Sequence, residues 1–307
     1  MISVVIPCYN AGKYLGEALG SVLSQTRPVD EIIVVDDCSI DNSLKIASGY
    51  PVKILQTPRN SGGAVARNLG VAAVQGDVIA WIDADDFWEP NHCEVVVGLL
   101  DKYPEADVAF SSVRFIGAPG NWPAEFFDYC SRPSDVFWNC LRYCIVPAMA
   151  AVTRTKAIRS VGCYDPGIRI SEDFDLWLRL SRRSLFVGTR QITANYRQHD
   201  GQISSFPNRQ TQSLYESRLR MLRTLRTEGN HVLAQQVGEQ ILKIWIEELA
   251  WVSRQGNADL FRFFWSLRRS LPDRNEAGTW NLFRCYVKAV LLYQRFCFRR
   301  LRSFLRG

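Results

Sequence analysis

Short apolar runs alternate with amphipathic stretches over residues 1–110, and this alternation constrains the fold more than any other feature. It predicts four strands and three helices, which in chain order are Ile2–Ile6, Lys13–Ser24 (helix), Glu31–Val35, Ser43–Gly49 (helix), Val52–Gln56, Gly63–Gln75 (helix) and Val78–Ile82. Strands that are joined by helices form a parallel sheet with both faces covered. The sequence therefore predicts an α/β fold, with a mainly parallel, Rossmann-like sheet flanked by helices.

Three polar loops follow the carboxyl ends of these strands, at the edge where parallel sheets hold their ligands. The loops are Pro7–Asn10, Asp36–Ser39 and Asp83–Asp86. In the third loop, Asp83, Asp85 and Asp86 place three carboxylates close enough to repel one another. A divalent cation such as Mg²⁺ or Mn²⁺ would relieve that repulsion and bind these oxygens together with substrate phosphates. A solvated acidic turn, in which Asp caps the next helix, is the alternative.

No glycine-rich phosphate loop accompanies these acids. The stretch Ser61-Gly62-Gly63 matches neither the GxGxxG pattern nor the P-loop. Dinucleotide binding and ATP hydrolysis are therefore disfavoured, and nucleotide recognition is expected to come from side chains and a metal ion.

The cysteines and the hydropathy pattern indicate the compartment. The nine cysteines form no CxxC pair, and Cys8, Cys38 and Cys163 are predicted to lie in apolar surroundings as reduced thiols. No apolar run approaches the roughly 18 residues that span a bilayer. The first seven residues lack the basic start and the length of a signal peptide. These features favour a cytoplasmic protein.

The chain changes character after residue 110. Residues 111–147 are predicted to be irregular and are rich in aromatic side chains. They form either a packed subdomain or lid, or an acceptor-binding surface, since aromatic rings supply flat apolar platforms. Ser171 is predicted to cap a helix that turns Leu176, Trp177 and Leu180 towards the core.

The C-terminal third is predicted to be helical from about Gln210, with breaks near Gly229, Gly256 and Pro272. The net charge of +6 comes from its end, because seven basic residues and no acid follow Glu276. Large apolar residues alternate with these arginines.

This basic tail predicts an amphipathic helix over residues 286–306 that lies on an anionic membrane face. A basic helix packed on the domain or on a second subunit is the alternative. Nucleic-acid binding is a third idea, but the interleaved phenylalanine and leucine residues fit a lipid interface at least as well.

Six short elements follow one another between Ile2 and about Ser205. They are Val5-Ile6-Pro7-Cys8-Tyr9-Asn10; Val34-Val35-Asp36-Asp37-Cys38-Ser39 with Asp41; Asn60-Ser61-Gly62-Gly63 with Ala66-Arg67-Asn68-Leu69-Gly70; Asp83-Ala84-Asp85-Asp86; Glu172-Asp173 with Asp175-Leu176-Trp177; and Tyr196-Arg197-Gln198-His199 with Gln202-Ile203-Ser204. In these elements and their order, the chain closely resembles a family 2 glycosyltransferase of the GT-A fold. Cys38 stands where the family more usually has glycine.

The resemblance implies an inverting transfer of a sugar from a nucleoside diphosphate donor, with Mn²⁺ or Mg²⁺ as cofactor. Pro7 and Tyr9 fall in the family's nucleotide loop, and Asp37 matches the carboxylate that contacts the nucleobase, which is uracil in the best-known members. Asp83 is expected to reach the ribose or the metal shell. Arg67 is expected to assist the phosphates, with a salt bridge on the helix surface as the alternative.

The same resemblance distributes the metal and catalytic roles. Asp85 is the expected main metal ligand and Asp86 its close competitor, while His199 resembles a histidine that completes the metal or diphosphate site. Asp173 matches the general base that accepts the proton of the acceptor hydroxyl. Glu172 is expected to hold acceptor or loop geometry.

The resemblance also suggests the domain organisation and the partners. A glycosyltransferase domain is expected over residues 1–208, with a nucleotide-sugar-binding half (1–110) and an acceptor-binding half (111–208), before a helical region over 209–307. The QxxRW motif of processive synthases is absent, so single-sugar addition is expected, to a glycan or lipid-linked glycan in surface polysaccharide biosynthesis. The alternatives are a nucleotidyltransferase, a nucleotide-sugar hydrolase or a catalytically idle scaffold.

Overall fold

The computed structural model describes residues 1–199, 202 and 207–255, and the chain divides into two compact units, Met1–Ser205 and Phe206–Gly307. The strands of the first unit are β1 (Ile2–Cys8), β2 (Glu31–Asp36), β3 (Lys53–Gln56), β4 (Val78–Trp81), β5 (Phe87–Trp88), β6 (Ala106–Ile116), β7 (Ala151–Arg154) and β8 (Leu185–Arg197). Its helices are α1 (Leu15–Leu23), α2 (Ser43–Ala47), α3 (Gly63–Ala73), α4 (His92–Lys102), α5 (Phe137–Arg142), α6 (Thr155–Ser160) and α7 (Glu172–Leu180). All seven predicted elements of residues 1–82 are present, with ends that differ by up to two residues.

The strands form one mixed sheet in the order β3-β2-β1-β4-β7-β6-β8-β5. The four strands predicted from the sequence pair in parallel, β2 with β1 and β3 and β1 with β4. Antiparallel pairs follow, β4 with β7, β7 with β6 and β5 with β8. The α/β fold is thus confirmed, although the sheet is more mixed than predicted, because the regular strand–helix alternation ends after β4.

The core lies on both faces of this sheet. Val4, Ile6, Val34 and Ala80 are fully buried, as the continuous apolar runs of their strands predict. Helix α1 packs the predicted face, Leu15, Ala18, Leu19 and Val22, against the strands. Burying each large side chain of this kind contributes about 1.5–3 kcal/mol. The parallel core therefore holds the carboxyl ends of β1, β2 and β4 at one rigid edge.

The region predicted to be irregular, residues 111–147, contains more regular structure than expected. Strand β6 continues to Ile116, a 3₁₀ turn covers Ala124–Phe127, and α5 follows. The polar residues of this region hide its periodicity, and the long pairing of β6 with β8 supplies the regularity. Trp177 of α7 is 1% exposed and belongs to the core, as predicted.

The second unit contains α8 (Pro207–Thr227) and α9 (His231–Gln255), which pack on each other. The chain breaks between them at Gly229, whose φ of +75° favours glycine, at the predicted position. The predicted breaks at Gly256 and Pro272 and the basic tail lie outside the described residues. Within the part of the chain that the structure describes, no helix is both long and apolar enough to cross a membrane.

Candidate active site

Two of the predicted loops, those after β1 and β2, are joined by hydrogen bonds. The Asn10 side-chain oxygen accepts the N–H of Ile40 at 2.9 Å, and the Ser39 hydroxyl accepts the N–H of Asn10 at 2.9 Å. Asn10 and Cys38 have φ angles of 50° and 65°, in the left-handed region that glycine adopts most easily. The backbone thus explains why glycine is usual at the position of Cys38. Its thiol is exposed, so the apolar environment predicted for it was wrong.

Asp37 holds the loop in front of α3. One oxygen of its buried carboxylate accepts the Thr57 hydroxyl at 2.6 Å and the N–H of Ser61 at 2.9 Å, and the other accepts the N–H of Gly62 at 2.7 Å. Tyr9 lies in the loop after β1, the strand that pairs with β2, and is 49% exposed and accessible to a ligand. The nucleobase contact of Asp37 and the nucleotide contacts of Pro7 and Tyr9 stay predictions.

Asp85 and His199 meet across the site. Oδ2 of Asp85, in the loop after β4, lies 3.0 Å from Nε2 of His199, which follows β8. Burial, and then the charge of Asp83, raise the pKa of Asp85, while the contact with His199 opposes that rise. Both side chains remain partly exposed. The structure therefore brings together two of the three residues that the sequence predicts as metal ligands.

Asp86 is more enclosed than its neighbour. It is 1% exposed, and one of its oxygens accepts the backbone N–H of Arg197 at 2.8 Å. Burial, followed by the charges of Asp85 and Asp83, raises the pKa of Asp86 well above its usual value. The second oxygen of Asp86 is buried and has no protein partner. Its predicted metal role stays a prediction.

Asp85, Asp86 and His199 together form part of a site that would suit a hard divalent cation. Among residues 1–199, 202 and 207–255, no three His, Cys, Asp or Glu side chains converge as a complete ligand set. However, crowded carboxylates with raised pKa values and an unpartnered buried oxygen are the features that a cation would relieve. Mg²⁺ and Mn²⁺ are commonly held by one or two protein carboxylates plus substrate phosphates.

Arg197, to which the sequence assigns no role, braces this loop. Its Nε donates to the carbonyl oxygen of Asp85 at 2.9 Å, and its Nη2 donates to Glu17 at 2.5 Å. The guanidinium also lies 4.9 Å from the ring centre of Tyr14. The ring centres of Tyr14 and His199 are 5.0 Å apart. The position of Arg197 at the end of a strand, two residues before a candidate ligand, was the available sequence signal.

Arg67 is buried between two carboxylates instead of forming a salt bridge on the helix surface. It is 7% exposed and donates to Asp83 at 2.6 Å and to Glu172 at 2.5 Å. Its two side-chain contacts join the loop after β4 to the start of α7. Its predicted contact with donor phosphates stays a prediction.

Asp173 lies in the first turn of α7 in a low-dielectric environment. Burial, and then the charge of Glu172, raise the pKa of Asp173 to about 6, and Arg67 opposes the rise. One oxygen accepts the N–H of Phe174, and the thiol of Cys144 lies 3.8 Å from the other. A carboxyl with this pKa is ionised at neutral pH and can accept a proton. Sequence reasoning missed Cys144, which no motif marks.

The start of α7 also differs from the prediction. Ser171 occupies the N-cap position but makes no side-chain capping bond, and its φ of 56° is in the left-handed region. A non-glycine residue in this conformation carries backbone strain, of a kind that clusters at functional sites. The strained residue directly precedes the Glu172–Asp173 pair.

The mixed α/β sheet, the acidic loop after β4 and the acidic start of α7 are the features that a glycosyltransferase domain of the GT-A fold is expected to have. The family model described as "Glycosyl transferase family 2" matches residues 3–161, which is more than half of the chain. The chain belongs to glycosyl transferase family 2.

Two relatives illustrate the family match. TuaG of Bacillus subtilis, a glycosyltransferase that its name assigns to teichuronic acid biosynthesis, is 30% identical over 212 residues, which cover 67% of this chain and 82% of TuaG. An uncharacterized glycosyltransferase of Rickettsia typhi is 27% identical over 217 residues, which cover 67% of this chain. That match spans 66% of the length of the Rickettsia protein.

Two solved structures share the fold. Staphylococcus aureus TarS, residues 1–349 in complex with UDP-GlcNAc, has a TM-score of 0.70 at 17% identity and covers 95% of this chain and 89% of that chain. The mannosyltransferase PcManGT of Pyrobaculum calidifontis, in complex with GDP-Man and Mn²⁺, has a TM-score of 0.59 at 16% identity and covers 95% of this chain and 86% of that chain. At these identities the likeness shows the GT-A fold alone.

Proposed function

We propose that this protein is an inverting glycosyltransferase that moves one sugar from a nucleoside diphosphate sugar to a hydroxyl of a glycan or lipid-linked glycan. The observation that carries the proposal is that side-chain contacts and neighbouring positions along the chain link two candidate metal ligands to the candidate base within the first unit. Asp85, in the loop after β4, lies 3.0 Å from His199, which follows β8. Arg67 joins the neighbouring Asp83 to Glu172, which adjoins Asp173. Donor activation and proton removal would thus occur in one site.

On the donor side, Asp85 and His199 would hold a Mn²⁺ or Mg²⁺ ion, with Asp86 as a further candidate. An ion held by these residues would supply positive charge against the negative charge that develops on the leaving diphosphate. The Mn²⁺ in the PcManGT complex supports this choice of metal. Asp37 would contact the nucleobase and Tyr9 would border it. A UDP-sugar is the proposed donor, because the TarS complex contains UDP-GlcNAc.

On the acceptor side, Asp173 would act as the general base. A single displacement with inversion needs a base opposite the leaving group to take the proton of the attacking hydroxyl. The raised pKa of Asp173, about 6, lies close to neutral pH. A base with such a pKa is ionised at neutral pH and still binds a proton well enough to remove it from a hydroxyl. The thiol of Cys144 lies 3.8 Å from Oδ2 of this carboxylate, the oxygen that does not accept the N–H of Phe174.

The acceptor glycan would lie on the aromatic region over residues 111–147. Its rings contact one another in series, Phe115 with Trp122, Trp122 with Phe126 and Phe126 with Tyr143. Tyr143 is 42% exposed and directly precedes Cys144, which contacts the proposed base. Exposed ring faces next to the base are suited to stack on the apolar faces of sugar rings.

The proposed pathway and location follow from weaker observations. The name of TuaG supports surface polysaccharide or glycoconjugate biosynthesis. The free thiols of the described residues fit a reducing cytoplasm, and the basic tail would hold the enzyme on the inner face of the membrane.

Two experiments in sequence test the function. Nucleotide sugars are first screened by thermal shift with Mn²⁺, and the best binder is then tested for transfer to glycan acceptors. Nucleotide-sugar hydrolysis is the competing activity, because it would use the same metal and carboxylates. Release of free sugar at the same rate with and without acceptor would favour the hydrolase and contradict the proposed transfer.

A further inference from the structure

The side chain of Arg67 connects two parts of the candidate site that are distant in sequence. From α3, Nη2 donates to Oδ1 of Asp83 at 2.6 Å and Nη1 donates to Oε1 of Glu172 at 2.5 Å. The guanidinium carbon also lies 5.6 Å from the ring centre of Tyr164. Buried ion pairs of this geometry are strongly directional, because the planar guanidinium presents its donors in a fixed fork.

We propose that Arg67 is a positioning residue for the proposed base. Its guanidinium clamps Glu172, at the start of α7, to Asp83, after β4. This clamp fixes the position of Asp173 relative to the loop after β4. The inference rests on the proposed function, since it assumes that Asp173 is the base. It differs from the phosphate contact that the family resemblance implies for Arg67, because here the guanidinium acts through protein carboxylates.

Gly63 supports this clamp independently. A Cβ atom at position 63 would lie 2.6 Å from Oε1 of Glu172 and 2.7 Å from Nη1 of Arg67. The first residue of α3 therefore lacks a side chain at the point where the ion pair packs against the helix. Because the clashing atoms are the ends of flexible side chains, alanine at this position would displace the ion pair of Arg67 and Glu172. The protein would keep all of its charged residues.

The charges around Asp173 make the position of Arg67 measurable. Burial, and then the charges of Glu172 and Asp83, raise the pKa of Asp173, whereas the charge of Arg67 lowers it. Two further titratable groups influenced by Asp173 are Cys144, whose thiol lies 3.8 Å from it, and Tyr164. Any change that moves the guanidinium away should therefore raise the titration midpoint of Asp173.

The experiment is an NMR titration of the full-length protein that carries ¹³C-labelled aspartate, with the Asp173 carboxyl assigned by its loss in Asp173→Asn. The wild-type midpoint is expected near 6. Arg67→Met should raise it by about 1 unit, because the change removes a positive charge that lowers the pKa of Asp173 and leaves the charge of Glu172 without its partner. Gly63→Ala should raise it by a smaller amount, and Arg67→Lys should lie between wild type and Arg67→Met.

Two control variants separate positioning from general loss of packing. Arg159→Met removes an arginine that donates to the carbonyl oxygens of Val71, in α3, and Val74, at its end, and that forms no ion pair with an acid in the part of the chain that the structure describes. Gly20→Ala adds a methyl group to α1, where no atom lies within 4 Å. Both should leave the midpoint of Asp173 unchanged.

A wild-type midpoint in Arg67→Met would overturn the proposal. If that variant does not fold, Gly63→Ala decides, and a wild-type midpoint there has the same consequence. The titration uses neither donor nor acceptor, so its outcome is independent of the proposed reaction. Should Asp173→Asn retain full turnover while Arg67→Met shifts the midpoint, the clamp stands and the assignment of the base fails.

Discussion

Nε2 of His199 lies 3.0 Å from Oδ2 of Asp85, although 114 residues separate them. The contact joins the end of β8 to the loop after β4, and Arg197 reinforces it by donating to the carbonyl oxygen of Asp85. A histidine fixed against a carboxylate in this way presents a nitrogen and an oxygen ligand in one place. This pair is the basis of the first prediction.

Asp85→Asn should abolish most metal-dependent donor binding while the fold persists. The amide carries no charge and ligates more weakly, and since even loss of an outer-shell partner costs about 10–100-fold in metal affinity, a lost ligand should cost at least that much. Calorimetric titration of UDP with and without Mn²⁺ measures the effect. Wild-type binding that EDTA leaves unchanged would contradict a metal at this position.

Asp173→Asn should reduce turnover by roughly 10²–10⁴ and change donor affinity only a few fold, because a lost general base affects proton transfer and not donor contacts. Steady-state kinetics together with UDP titration separate the two effects. Glu172→Gln is the matched variant, since it alters the adjacent acid. If Glu172→Gln were inactive and Asp173→Asn active, the two roles would have to be exchanged.

The raised pKa of Asp173 also predicts a pH-dependent gain in stability on substitution. Its folded-state pKa of about 6 exceeds the ordinary value of 3.8, so the folded protein holds this proton more tightly. Raising the pH from about 4 to 6 therefore costs stability, and the full cost persists above pH 6. Asp173→Asn removes that cost, so its Tm should exceed the wild-type Tm at pH 7.5.

The comparison of melting curves at two pH values tests this prediction. At pH 3.5, where the carboxyl is protonated in the folded state, the difference in Tm between wild type and Asp173→Asn should largely vanish. Asp107→Asn, at a half-exposed acid on β6, controls for the amide substitution. A variant that is less stable than wild type at pH 7.5 would show that Asp173 stabilises the fold.

The sequence predicted the parallel half of the sheet and the loops at its edge because hydrophobic alternation determines both directly. The carboxyl ends of β1, β2 and β4 lie together once those strands pair in parallel. Only the family resemblance placed His199 in the same site as Asp85, and periodicity could not, since β8 joins this edge by pairing with β5 and β6.

Other features of the site depend on packing that no local pattern encodes. The bridge from Arg67 to Asp83 and Glu172 needs α3, β4 and α7 in place at once. Cys144 borders Asp173 because the loop after α5 passes the start of α7, and a single cysteine gives no sequence signal. Such side-chain partners could not be predicted from periodicity.

Phe126→Ala and Tyr143→Ala should raise the acceptor KM by about 10-fold and leave UDP affinity unchanged. Stacking on an aromatic ring contributes about 0.5–1.5 kcal/mol. The loss of one ring, together with the support that it gives its neighbour, is therefore sufficient for a rise in KM of about 10-fold. Trp138→Ala is the control, because Trp138 is equally exposed, at 42%, but its ring contact is with Phe137, outside this series. Equal losses in all three variants would contradict a specific acceptor surface.

The last prediction concerns the basic tail, which lies outside the described residues and is argued from sequence alone. Changing Arg299, Arg300 and Arg302 to Gln should lower the affinity for anionic liposomes, measured by sedimentation, by about two orders of magnitude. Each basic group near an anionic surface contributes about 1 kcal/mol, and a change of 1.4 kcal/mol corresponds to a factor of ten.

The matched control for the tail changes Lys53, Lys102 and Lys156 to Gln, which removes the same charge from exposed positions of the first unit. Because charge attraction fades over a Debye length of about 8 Å at physiological salt, wild-type binding that persists in salt would also require the interleaved leucine and phenylalanine side chains. If wild type ignores anionic liposomes, or if both triple variants lose binding equally, the tail does not anchor the enzyme. Its arginines would then serve packing or subunit contacts.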